Sequence, residues 1–65
     1  MKNTDYQIAK NNLKEAARQA RNYYTNDKPA IRQIINDTMD SICKDMQLSE
    51  YNRNLLANYA CTLHP

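Results

Sequence analysis

The sequence predicts an all-α fold: a three-helix domain with two long helices and one shorter. Three observations carry this. The 65 residues contain no glycine, and valine, phenylalanine and tryptophan are also absent. Apolar surface is therefore built from Ala, Ile, Leu, Met and Tyr, a palette that suits helices better than strands. These residues recur at spacings of three and four, as one face of a helix requires. The missing glycine also bounds function. Phosphate-cradling loops, tight turns with positive φ and left-handed helix stops all lean on glycine, so P-loop and dinucleotide fingerprints are excluded.

The first helix is expected over about residues 5–24, opened by a capping box in which Thr4 is followed three residues later by Gln7. Tyr6, Ala9, Leu13, Ala16, Ala20 and Tyr23 then form a heptad stripe, flanked by Ala17 and Tyr24. Four of these eight residues are alanine, which lets a partner helix approach closely. Lys10, Lys14, Arg18 and Arg21 lie outside the stripe.

Thr25-Asn26-Asp27-Lys28-Pro29 breaks the chain, with Asp27 as cap and Pro29 suited to the next first turn. The second helix runs over about 29–46 and presents Ile31, Ile34, Ile35, Thr38, Met39, Ile42, Cys43 and Met46. That face is the widest, so this helix is expected to be the core element, covered by two neighbours. Leu48-Ser49-Glu50 forms the second break, with Ser49 as cap and Glu50 in the positive first turn. The third helix, about 50–62, places Tyr51, Leu55, Leu56, Tyr59, Ala60 and Leu63 on one face. Residues 1–65 therefore read as a single helical domain.

A domain of this size rarely gains more than about 3–5 kcal/mol from its core without a staple such as a disulfide, a metal or a partner subunit. Cys43 and Cys61 fall on apolar helical positions, and Met1-Lys2-Asn3-Thr4-Asp5 leads into a polar helix rather than a secretory leader. Free thiols in a reducing cytoplasm are the expectation. Cys61, His64 and Cys43 supply three ligands where a closed zinc site needs four, so no metal is expected. Oligomerisation is then the remaining staple. The first helix's stripe could equally pack on the other helices of its own chain, but the size argument favours a homodimer.

Net charge is +2, with a basic first segment and an acidic middle one (Asp37, Asp40, Asp45 and Glu50 against Lys44). These segments complement each other, either within one chain or across a dimer. The single histidine, His64, stands next to the end of the sequence, where chains commonly fray, and offers no rigid base for a nucleophile. No catalytic residues, cofactor or enzymatic activity is expected. Membrane association is disfavoured because the apolar face of the first helix is alanine-rich.

Two binding readings are left. The first is protein interaction through Tyr6, Leu13, Ala16, Ala20, Tyr23 and Tyr24, with Lys14, Arg18 and Arg21 as a rim that steers an acidic partner. The alternative is nucleic-acid binding, through the basic ridge of the first helix or the turn at 48–54. Residues 42–56 have the outline of a helix-turn-helix, with Asn52, Arg53 and Asn54 as base-reading types. Gln47 at the usual glycine position and the nearby acidic residues count against it.

The run from Asn12 to Tyr24 (NLKEAARQARNYY) and the ending from Leu55 to Pro65 (LLANYACTLHP) resemble small early proteins of lambdoid bacteriophages and prophages, encoded between the exonuclease and excisionase genes. The resemblance implies a non-enzymatic accessory protein in the host bacterial cytoplasm. It would tune host takeover or the choice between lysis and lysogeny through a bacterial host protein. It transfers no functional residues.

Overall fold

The computed structural model describes residues 4–65. It is all-α, with α1 (Thr4–Tyr23), α2 (Lys28–Met46) and α3 (Glu50–Leu63) joined by short turns. Each helix packs on the other two, and α1 pairs most extensively with α2. The helix ends fall within a residue of those expected. Thr4 is already helical; the residue that would cap it lies outside the described residues, as does the rest of the predicted Met1-Lys2-Asn3 lead-in.

The caps explain why the helices start and stop where they do. Asp27 precedes α2, and its Oδ1 accepts from the Ala30 N–H at 3.2 Å, with Pro29 in the first turn. Ser49 does the same for α3, its Oγ accepting from the Asn52 N–H at 3.2 Å. At the end of α2, Gln47 takes the left-handed conformation, φ 51° and ψ 51°. The Gln47 N–H donates to the Lys44 carbonyl at 3.3 Å and the Leu48 N–H to the Cys43 carbonyl at 3.1 Å. This is a Schellman stop, made without the glycine such stops favour. Leu48, the next residue, is buried as its apolar latch.

A side chain with a Cβ is strained in the left-handed region. Gln47→Gly is therefore expected to raise stability by about 1 kcal/mol, less the extra entropy glycine brings to the unfolded chain. Urea denaturation followed by far-UV circular dichroism checks this; an unchanged or lower midpoint contradicts it.

The core has one large, fully buried side chain from each helix: Leu13, Ile35 and Leu56. Ala9, Ala17, Ala20, Ile31, Leu48 and Ala60 complete it, and Tyr6, Tyr24, Ile34, Met39, Ile42, Cys43, Met46, Tyr59 and Leu63 pack around the edge. Two expectations change here. The most fully buried positions belong to α1 (Ala9, Leu13, Ala17, Ala20), with only Ile31 and Ile35 on α2. Tyr51, expected on the apolar face of α3, is 68% exposed.

The buried stripe of α1 runs through 6, 9, 13, 17, 20 and 24, not 6, 9, 13, 16, 20 and 23. Those intervals average about 3.6 residues per turn, the period of a straight helix, where a heptad needs the supercoil of a long coiled coil. Ala17 is thus fully buried and Ala16 half-buried, and Tyr24 packs inward while Tyr23 is 79% exposed. Because the stripe is covered within one chain, Leu13 and Ala20 cannot serve a dimer without unfolding the domain. The chain exposes 4553 Å², close to the roughly 4,300 Å² that surface scaling gives a compact monomer of this mass. The dimer argument therefore loses its seam.

Candidate functional site

Once α1 turns its alanine stripe inward, its cations fall on the side that faces α3. Lys14, Arg18 and Arg21 line an open groove of about 420 Å³ between the two helices, together with Glu15 from α1 and Tyr59 and Leu63 from α3. Lys10 borders it, its Nζ 5.1 Å from the centroid of the Tyr59 ring. This distance suits a cation–π contact. Spacings of four, four and three place these cations along one side of α1.

Three of the four cations are already oriented by the protein. Lys10 lies over Tyr59. Arg21 donates through Nη2 to the Leu63 carbonyl at 3.5 Å, the long limit of a hydrogen bond. α3 has no basic residue in its own last turn, so Arg21 brings a positive charge to the negative end of that helix from 42 residues away in sequence. Arg18 forms a fork with Glu15: its Nε donates to Oε1 at 3.1 Å, and its Nη2 pairs with Oε2. Gln19 Nε2 also donates to Glu15 Oε2, at 3.0 Å. Lys14 has no ion-pair or hydrogen-bond partner among the described residues.

Hydrogen bonds from Arg18 and then Gln19 hold the Glu15 carboxyl below its ordinary pKa, and Glu15 in turn raises Arg18. A depressed carboxylate keeps its partner above the ordinary carboxylate pKa and loses it only as pH falls through the lowered value. At neutral pH the fork is fully charged. Arg18–Glu15 is the only ion pair among the described residues. No ion pair therefore joins the basic first segment to the acidic middle one among the described residues.

Of the interface residues read from the sequence, Leu13 and Ala20 belong to the core, and Tyr6, Ala16 and Tyr24 are half-buried. Tyr23 stands outside, with Tyr24 edge-on to it at 4.7 Å. The structure does bring the rim residues Lys14, Arg18 and Arg21 together. Sequence reasoning missed the other wall of their groove. Tyr59 and Leu63 read as core positions, and only the absence of a basic residue at the end of α3 hinted that another helix supplies one.

The turn read as a possible base reader is arranged differently. Asn52 is half-buried, and its Oδ1 is enclosed without a hydrogen-bond partner. Arg53 and Asn54 line a separate α2/α3 groove of about 460 Å³ with Met39, Asp40, Cys43 and Lys44, where the charges are mixed. Burial pushes the Cys43 thiol up, as does Asp40, against an opposing effect of Arg53. The thiol is protonated at neutral pH and a poor nucleophile. His64, expected to fray, is part-buried with Nε2 3.1 Å from Asn36 Oδ1, which ties the end of α3 to α2. No helix among the described residues is long and apolar enough to cross a membrane.

These features define a three-helix all-α domain in which the cations of α1 line one inter-helix groove. The chain matches no protein-family model, no curated protein and no solved structure.

Proposed function

We propose that the chain is a small non-enzymatic binding module that docks an acidic segment of another protein in the α1/α3 groove. The observation that carries this is the convergence of Lys14, Arg18 and Arg21 on a groove whose other wall is Tyr59 and Leu63. Four cations against one carboxylate attract an acidic chain, and the Tyr59/Leu63 wall rewards one that also carries aliphatic or aromatic side chains. The mechanism is occupancy: a partner surface is covered or held, and no bond is made or broken. The resemblance to lambdoid early-region proteins supplies the setting, in which the partner is a bacterial host protein and the outcome is regulation of host takeover or of lysis against lysogeny.

Single-stranded nucleic acid fits the same groove less well. Stacking of successive bases needs several aromatic faces, and Tyr59 is the one aromatic residue lining the groove among the described residues, with Lys10 over one face. Asn52 is turned inward, and Arg53 and Asn54 belong to the other groove.

The test uses a fluorescein-labelled peptide of alternating glutamate and leucine, titrated by anisotropy. Lys14→Glu with Arg21→Glu is expected to weaken it about tenfold or more while helicity is retained, since reversed rim charges repel an acidic chain. Wild-type affinity in the double variant overturns the groove assignment. Tighter binding of a single-stranded oligonucleotide, with a steep linear loss in log salt, would favour the nucleic-acid reading instead.

A further inference from the structure

Glu15 is a carboxylate inside a groove that otherwise collects cations. Arg18 meets it with two nitrogens, and Gln19 adds a third donor to the same carboxylate. A planar guanidinium fork is the geometry with which proteins recognise carboxylates from other molecules. Here the fork is filled from one turn away on the same helix, and both residues of the pair are more than half exposed. An exposed pair of this kind contributes little to folding, so exchanging one carboxylate for another costs the domain little.

Resting on the proposed docking of an acidic segment in this groove, we infer that Glu15 is an internal stand-in for a carboxylate of the partner. On binding, an aspartate or glutamate of the docked peptide takes over Arg18 and Gln19, and Glu15 turns out to solvent. Lys14 and Arg21 hold further carboxylates, while Tyr59 and Leu63 take an apolar side chain next to the exchanged one. The partner is thus an acidic peptide segment in which at least one carboxylate is paired with a neighbouring aliphatic or aromatic residue. Glu15 sets a threshold: a ligand must outcompete it, which discriminates against isolated carboxylates present at high concentration in cells.

A double-mutant cycle tests this with the glutamate–leucine peptide as probe. Glu15→Gln is expected to tighten binding about two- to fivefold, the range set by an exposed ion pair. If Glu15 acts by occupying Arg18, that gain disappears in the Arg18→Gln background. A gain that persists without Arg18 means that Glu15 acts only through its charge, and overturns the exchange. A loss of affinity in Glu15→Gln means that Glu15 supports Arg18 in its binding pose, which also overturns it. In both of those cases the groove reading survives, provided that Lys14→Glu with Arg21→Glu still weakens the peptide. If that double variant binds like wild type, the groove reading itself has failed. Far-UV circular dichroism of each variant confirms that the domain is folded, as substitution of exposed residues allows.

Discussion

Leu13→Ala is expected to leave most of the chain unfolded at room temperature. Leu13 is 0% exposed and is the one large side chain that α1 contributes to the centre of the core. Removing a buried leucine to its Cβ costs about 2–5 kcal/mol, through lost transfer energy and the cavity left behind. The stability a domain of this size draws from its core is about 3–5 kcal/mol, so the loss is comparable to the whole. Thermal and urea unfolding followed by circular dichroism should show a collapsed midpoint or no transition. The sequence reading places Leu13 on a dimer seam, where its loss would convert dimer to monomer with some loss of stability. A folded Leu13→Ala variant of unchanged midpoint would contradict the core described here.

Ala17→Leu is the second large effect, and its neighbour is the control. Ala17 is fully buried, and with Ala9, Ala20 and Ala60 it fills the core without bulk. Replacing the methyl by an isobutyl group at a fully packed position costs about 1–3 kcal/mol, as side chains leave their rotamers and helices shift. Ala16 is half-buried at the edge of the same stripe, so Ala16→Leu has room to lean outward and should cost much less. The heptad reading gives the reverse order, with Ala16 central and Ala17 on the flank. Comparing urea midpoints of the two variants decides the register. Equal losses, or a larger loss at Ala16, would overturn the straight-helix stripe.

The elements were legible because their signals are local. Asp27 before Pro29 and Ser49 before Glu50 announce helix starts through side chains that reach only three residues ahead. The periodic apolar residues then set the faces. What covers a face is not a local property, and there the sequence misled. Alanines at 16 and 17 fit adjacent registers, and a drift of one residue over five turns decides which is buried. The helix stop at Gln47 was hidden for a related reason: its strain is tolerated because Leu48 is buried just beyond it.

The candidate site was half legible. Lys14, Arg18 and Arg21 stood out because helical spacing aligns them on α1. Tyr59 and Leu63 did not, because they also satisfy the apolar period of α3, and their place beside the cations depends on how α3 docks against α1. The residues after α3 depend on tertiary packing in the same way. His64 looked like a frayed end, but its bond to Asn36 joins residues 28 apart in sequence. Tyr6, Ala16 and Tyr24 fit an external surface by spacing alone, and the docking of the helices makes them the margin of the core.

The most direct test of the central claim is a nitrogen-15 amide spectrum of the intact chain, recorded while the glutamate–leucine peptide is added. Docking in the α1/α3 groove predicts shifts concentrated at Lys10, Lys14, Glu15, Arg18, Arg21, Tyr59 and Leu63, with the α2/α3 groove around Cys43 and Arg53 unchanged. Shifts centred on Asn52, Arg53 and Asn54, or saturation of the peptide with no shift along α1, would contradict it.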